Sequence, residues 1–354
     1  MTRPREHGSS SDPPPFALRV VTWQREHGRH ALPWQRTRDA YRIWLSEVML
    51  QQTQVATALP YYERFVAAFP DVHALAAAPI DDVLRHWSGL GYYRRAHHVH
   101  AAARMIVGRH GGVFPDDVEA IAALPGIGRS TAAAIAAFAF GTRAAILDGN
   151  VKRVLARHRG IDGFPGAPAV QSRLWAAAES ALPGESIETY TQGMMDLGAT
   201  VCTRTPACLV CPVNVDCIAR IEGRIDEIPA ARPARALPHR ELRLLVLERD
   251  GTLLFERRPP TGVWSGLFSF PEAAFDHDAL EVARSRFHVD ATRGPVTEPI
   301  THGFTHFTLT LHPQRIVVTA ASPIAASDAH AWLTRDDALR AALPSPIKRL
   351  VRAL

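Results

Sequence analysis

Up to about residue 225 the apolar positions recur every three to four residues, and beyond about residue 240 the period falls to two. Helical spacing predicts helices at Phe16 to His27, Tyr41 to Ala58, Ile80 to Trp87, Asp116 to Ala123, Ala132 to Phe140, Val151 to Arg159, Ser172 to Ala181 and Tyr190 to Leu197. Alternation predicts a hairpin from Leu242 to Glu248 and Thr252 to Arg257, turning at Asp250-Gly251. Further strands are expected at Trp264 to Phe270, Phe307 to His312 and Arg315 to Thr319, with a helix at Asp278 to Arg286. The expected fold class is therefore multidomain. An all-α domain spans 16–225, a linker rich in Pro, Ala and Arg spans 226–240, and an α+β domain spans 241–354. Residues 1–15 carry serines and prolines but no apolar stretch of a signal peptide, so a disordered tail is expected.

Composition refines this picture. At 354 residues with 47% hydrophobic side chains, the chain can build a core in each of two domains. Its net charge is +5, and all but two of its 40 basic residues are arginines, the exceptions being Lys152 and Lys348. Guanidinium groups bind oxyanions bidentately, so an anionic partner is favoured. No apolar run is long enough for a membrane span, and a cytoplasmic setting is expected. In that compartment four cysteines are metal ligands more often than disulfides.

The candidate chemistry clusters in five stretches. Leu124-Pro-Gly-Ile-Gly-Arg-Ser-Thr131 lies between two helices, and Gly126 and Gly128 permit positive φ and a close backbone approach to a phosphate at a helix N-terminus. An ordinary helical hairpin would read the same way. Asp148 follows an apolar run and precedes a helix, where it is a helix cap or a catalytic carboxylate. Glu47 has Ile43, Trp44, Leu50 and Gln51 as its helical neighbours, and desolvation there would raise its pKa into the range of a proton donor. Gly89-Leu-Gly-Tyr-Tyr-Arg-Arg95 mixes glycines, aromatic rings and cations as a base-stack wedge would, and His97, His98 and His100 after it read as a solvated or phosphate-facing surface. Finally, Cys202, Cys208, Cys211 and Cys217 form a compact tetrathiolate set, whose single C-x-x-C knuckle tilts the choice from zinc toward an iron–sulfur cluster.

Taken together, Leu32-Pro-Trp34, Trp44-Leu-Ser-Glu-Val-Met-Leu-Gln-Gln-Thr-Gln-Val55, Gly89 to Tyr93, Leu124 to Thr131, Leu147-Asp-Gly-Asn-Val-Lys-Arg-Val154 and Met194 to Gly198 resemble the helix-hairpin-helix DNA glycosylases that carry a [4Fe-4S] cluster. Over its full length the chain is similar to the adenine-specific branch with a Nudix-like C-terminal domain. That resemblance implies base excision repair of double-stranded DNA, with adenine hydrolysed from opposite 8-oxoguanine or guanine by a monomeric enzyme. It implies that Glu47 protonates adenine N7 and that Asp148 stabilises or captures the sugar cation, with Ser130 and Asn150 in support. Gln52 and Tyr92 would fill or wedge the stack, and Gly126, Gly128 and Lys152 would contact DNA. Phe304-Thr305-His306 matches the branch's reader of the oxidised guanine. The four cysteines would hold the cluster, although residues 203–207 make a first gap one residue shorter than the branch's usual spacing.

Two departures bear on the reaction. The endonuclease III branch has a lysine where this chain has Ser130, and a hydroxyl cannot form the imine that nicks the strand, so a monofunctional glycosylase is expected. A bifunctional glycosylase/lyase and a non-catalytic DNA-binding scaffold are the alternatives. In the Nudix-like part Gly266, Glu272 and Glu281 match the hydrolase motif, but Leu280 replaces its Arg and Arg284-Ser285 its paired acids. A Mg²⁺ ion would lack ligands, and recognition rather than hydrolysis is expected.

Overall fold

The structure, a computed structural model, describes residues 14–233, 236–321 and 329–354. The tail expected at 1–15 therefore falls almost wholly outside the described residues, and so do positions 234 and 235 of the expected linker. The helices in chain order are α1 (Phe16–His27), α2 (Ala40–Leu50), α3 (Val55–Ala68), α4 (Val72–Ala77), α5 (Ile80–Trp87), α6 (Arg94–His110), α7 (Val118–Ala122), α8 (Arg129–Phe140), α9 (Gly149–His158), α10 (Pro168–Ser180), α11 (Ile187–Asp196) and α12 (Ile218–Ile221). A sheet follows, made of β1 (His239–Arg249), β2 (Thr252–Arg257), β3 (Phe268–Ser269), β4 (Glu272–Ala273), β5 (Val289–Val296), β6 (Ile300–Gly303), β7 (Thr308–Ala321) and β8 (His330–Thr334). Helix α13 (Ala279–Phe287) precedes β5, and α14 (Arg335–Arg340) and α15 (Ser345–Ala353) close the chain. Among the described residues no helix is long and apolar enough to cross a membrane.

The chain divides into two compact units, and the division does not follow the change of period. One unit comprises residues 1–48 and 113–234, and the other comprises 49–112 and 235–354. In the first, α8 is almost solid alanine and is buried from Ala132 to Ala137, because only small side chains let neighbouring helices close around it. Val20, Leu155, Leu174 and Leu197 build the core beside it, and Cys202, Cys211 and Cys217 pack on that core's edge. In the second unit β1 is the spine. It runs parallel to β7 from His239↔Thr308 to Glu248↔Val317 and antiparallel to β2, and α13 covers a core of Leu245, Leu247, Leu254 and Ile316.

Several elements differ from expectation for identifiable reasons. The helix expected from Tyr41 to Ala58 is two helices, α2 and α3, separated by a turn in which Gln52 has φ 56°. The break is held by Arg95, whose Nη1 donates to the carbonyls of Met49 (2.8 Å) and Gln51 (2.7 Å), removing them from any helical ladder. The strands expected on either side of Pro313 are one strand, β7. Its missing N–H costs nothing there, since β6 pairs as far as Leu311 and β5 only from Gln314. Trp264 to Phe270 is mostly loop, with strand only at Phe268–Ser269 and Trp264 at φ 58°. The linker ends early, because β1 already pairs at His239. The histidine face is not free for phosphate either: His97 Nε2 lies 3.1 Å from the carbonyl of Ser265, and His100 Nε2 lies 3.0 Å from that of Ala78.

Candidate active site

Two helix N-termini build the centre of the first unit. In the hairpin Asp117 caps α7 by accepting from Ala120 N (2.9 Å), and the chain then turns at Gly126, φ 79°. Gly128 departs from expectation: its φ is −95°, extended backbone that any residue adopts. What marks it is space, since a Cβ there would meet nothing within 4 Å, and the residue is exposed at the start of α8. Unpaired amides at such an end suit an anion. Ser130, in the first turn of α8, accepts a hydrogen bond from Leu147 N at 2.8 Å and so fixes the strand-like approach to Asp148.

Asp148 is the helix cap that the sequence allowed. Its Oδ1 accepts from Val151 N (2.7 Å) and caps α9, with a second backbone bond from Asn150. Burial raises its pKa, while those two amides and the cations of Arg153 and Lys152 oppose the rise. Glu47, half-buried on α2, feels burial first and the Asp148 charge second, and its pKa is pushed up to about 8. Two coupled carboxyls cannot both ionise cheaply at short range. The environments differ: Glu47 is held protonated at neutral pH, whereas the rise at Asp148 is opposed by its two amides and by the cations of Arg153 and Lys152. Lys152 is half-buried one turn along α9 from Asp148.

Helix α9 continues this site toward the cysteines. Arg153 Nη2 donates to Asn150 Oδ1 (2.9 Å) and to the carbonyl of Gly198 (2.6 Å), and its Nε donates to that of Cys202 (2.6 Å). Arg157, 5% exposed, donates to Thr203 O (2.7 Å) and Ile228 O (2.8 Å) and lies 3.5 Å from Cys202 Sγ. All four cysteines line one cavity of about 310 Å³ together with Arg157, Asn214 and Arg220. Burial pushes the Cys211 thiol up to about 11, and the other three sulfurs push it the same way. Thiolates so placed need a cationic centre to become ligands. Among the described residues no three His, Cys, Asp or Glu side chains are disposed around a single metal ion. Four thiols lining one pocket, with Arg153 and Arg157 bonded to the carbonyls beside them, are the donor set that a tetrathiolate-bound group needs.

In the second unit Arg95 gathers the two candidate wedges. Besides Met49 and Gln51 it donates from Nη2 to Thr53 Oγ1 (3.2 Å) and Gly91 O (3.2 Å), and its guanidinium carbon is 5.4 Å from the Tyr92 ring centroid. Gln52 and Tyr92 both adopt left-handed backbone, φ 56° and 48°, a strain that clusters at functional positions. Tyr92 is exposed. Phe304, Thr305 and His306 form the tight turn between β6 and β7, closed by Phe304 N donating to Phe307 O (2.8 Å). Phe304 stacks on Phe307 (centroids 4.5 Å), leaving Thr305 and His306 exposed at the tip. Of the remaining Nudix-motif acids, Glu272 pairs with Arg258 and Glu281 is exposed on α13.

Sequence reasoning missed Arg153 and Arg157, and it read Arg95 as a cation for phosphate, whereas Arg95 is buried and its guanidinium donates to carbonyls of its own chain. The only signal of Arg153 and Arg157 was position, because arginine is almost the sole basic residue in this chain and its presence marks nothing by itself.

Comparison with known proteins defines the class first. Residues 45–180 match the HhH-GPD superfamily base excision DNA repair protein and residues 243–353 the NUDIX domain. A solved thermostable thymine-DNA glycosylase superposes with a TM-score of 0.53 at 28% identity, covering 58% of this chain and 95% of that one. An endonuclease III structure shares the fold at a TM-score of 0.50 and 20% identity, covering 59% of this chain and 95% of that one. The fold is that of a helix-hairpin-helix DNA glycosylase. The adenine DNA glycosylase of Buchnera aphidicola (subsp. Acyrthosiphon pisum) is 34% identical over 95% of this chain and 96% of its own length, and that of Homo sapiens is 32% identical over 95% and 73%. The chain belongs to the adenine DNA glycosylase family, enzymes of base excision repair.

Proposed function

We propose that this enzyme removes adenine from opposite 8-oxoguanine or guanine in duplex DNA, by hydrolysis and without efficient strand cleavage. The observation that carries the reading is the pairing of a carboxyl held protonated near neutrality, Glu47, with an amide-capped carboxylate, Asp148, in one coupled site. Glu47 delivers its proton to adenine N7, which turns the base into a neutral leaving group as the glycosidic bond lengthens. Asp148 faces the sugar cation that develops and stabilises or captures it until water adds at the anomeric carbon. Ser130 holds the backbone at Leu147 and offers no amine, so no imine forms and the strand persists. Lys152 is the nearest amine and accounts for any adduct trapped by borohydride. Gln52 and Tyr92 fill the space left by the extruded nucleotide, while Gly126, Gly128 and the first turn of α8 grip the backbone phosphate. Thr305, with His306 and Phe304, reads the oxidised guanine through its hydroxyl.

Cys202, Cys208, Cys211 and Cys217 would hold a [4Fe-4S] cluster, which would cross-link the loop. Arg153 and Arg157 tie that loop to α9 and so to the cap at Asp148. The enzyme is proposed to act as a monomer in the cytoplasm, on nucleoid DNA.

A product assay tests the reading. Purified protein is given duplexes carrying A opposite 8-oxoguanine, A opposite G, or thymine glycol, and products are resolved with and without alkali. Adenine release from the first two with breaks only after alkali is expected, and release of thymine glycol or alkali-free nicking at the rate of base release would overturn it.

A further inference from the structure

The segment 259–267, of which only residues 264–267 are expected as strand, is a loop pinned at both ends. Gly266 N donates to Pro259 O (3.2 Å) and Leu267 N to Trp264 O (3.0 Å), and Arg258 N donates to Leu267 O (2.8 Å). At its centre Trp264 is held at φ 58° although bulky and only 7% exposed. A bulky residue keeps that conformation only when its surroundings overdetermine it. Those surroundings face two ways. The indole lies against the base of the Phe304-Thr305-His306 turn, with centroids 5.9 Å from Phe304 and 6.4 Å from His302. The backbone of the next two residues lies against α6: Ser265 O accepts from His97 Nε2, and Gly266, φ 72°, is closely enclosed, since a Cβ would lie 3.1 Å from the His97 ring and the ring would have to give by a few tenths of an ångström. Because a carbonyl only accepts, His97 must carry its proton on Nε2.

Helix α6 is also the helix that seats the wedges. Two residues before His97, Arg95 holds the carbonyls that precede Gln52 and Tyr92. The junction is reinforced by Arg257, which forms a bidentate pair with Asp81 (2.7 Å each) and donates to Gly266 O (3.0 Å), and by Ser88 Oγ donating to Leu343 O (2.9 Å). Reader turn, Trp264 loop and wedge turns therefore form one continuous set of packed and hydrogen-bonded groups.

We infer that His97, through Ser265 and Trp264, is a positioning residue that holds the guanine reader in register with the wedges and thereby sets the preference for adenine opposite oxidised guanine. The inference rests on the function proposed above. The physical reason is preorganisation: when two contact sites on one rigid body engage the two members of a base pair, occupation of one lowers the entropic cost of occupying the other. A slack joint leaves each site able to bind but uncouples them.

The test uses the full-length, cluster-loaded protein. Single-turnover adenine release is measured on duplexes with A opposite 8-oxoguanine and A opposite G for the wild type, His97→Ala and His97→Gln. Extrusion is followed separately by the fluorescence of a 2-aminopurine beside the adenine. His97→Ala is expected to lower the rate and the extrusion signal on the 8-oxoguanine duplex by about fivefold or more while leaving the G duplex nearly unchanged. His97→Gln, which can donate to the same carbonyl, is expected to restore both. Should His97→Ala fail to fold, Gly266→Ala, which strains the backbone at φ 72° and crowds the His97 ring, is expected to lose the same preference. A wild type without preference between the two duplexes overturns the functional reading and the inference together. A wild-type preference that survives both substitutions, an equal loss on both duplexes, or no restoration by glutamine overturns the inference alone.

Discussion

Glu47 shows how a single ionisable residue carries both function and a stability cost. Its pKa is raised from 4.5 to about 8, by burial first and by Asp148 second. Between those two values the folded chain binds a proton that the unfolded chain has released, so Glu47 lowers stability progressively as pH rises from the first value to the second. Glu47→Gln is therefore expected to raise Tm relative to wild type, with the difference absent in acid and growing to a plateau above about pH 8. Thermal melts across that window check this, and a constant difference would contradict it. The same variant is expected to abolish adenine release while DNA binding persists, the outcome that separates an enzyme from a docking scaffold. Ser130→Lys exchanges the acceptor of Leu147 N–H for an amine beside Asp148. Slower base release with newly gained alkali-free nicking is expected, read on a denaturing gel.

At the scale of elements, helix ends and one glycine contact set the geometry. Asp148 caps α9, and the other end of that turn meets the segment after α11 at Gly198, where an added Cβ would lie 2.6 Å from Asn150 Cβ and 2.9 Å from its backbone. Nothing flexible can yield there, so Gly198→Ala is expected to cost about 1–3 kcal/mol by overpacking. It is also expected to slow adenine release by displacing the Asp148 cap, as denaturant melts and single-turnover assays would show. Arg95→Met leaves the carbonyl of Met49 without its donor and strips the charged donor from those of Gln51 and Gly91, which keep Thr53 Oγ1 and Trp87 Nε1. Each unsatisfied buried group costs about 1–3 kcal/mol, and loss of base extrusion should exceed loss of DNA binding. These elements were unequally legible. Glu47 and Asp148 stood out because a carboxyl among apolar neighbours is rare. The turn at Gln52 did not, because Ile43 to Ala58 keeps a helical period and the group that breaks it, Arg95, is distant in sequence. Pro313 misled in the opposite direction, since its tolerance depends on where β5 and β6 stop pairing.

For the molecule as a whole, the change of apolar period near residue 240 reported the change of fold class but not the compact units. Residues 49–112 lie in the helical, period-3.6 part yet belong with 235–354, and what joins them is polar and local: Arg257 with Asp81, Ser88 with Leu343, His97 with Ser265. Hydrophobic periodicity cannot report single hydrogen bonds between helical and sheet segments, so this grouping was invisible in the sequence. It places the proposed wedge residues and the proposed guanine reader in one unit, and the two carboxyls, the hairpin and the cysteines in the other. That arrangement gives the chemistry its own unit, and its central claim is that a proton on Glu47 drives departure of the base. The most direct measurement is the single-turnover rate of adenine release against pH on a duplex with A opposite 8-oxoguanine. The rate should hold through neutrality and fall as pH rises past about 8, with strands intact throughout. A rate that stays level or climbs through that range would contradict the account.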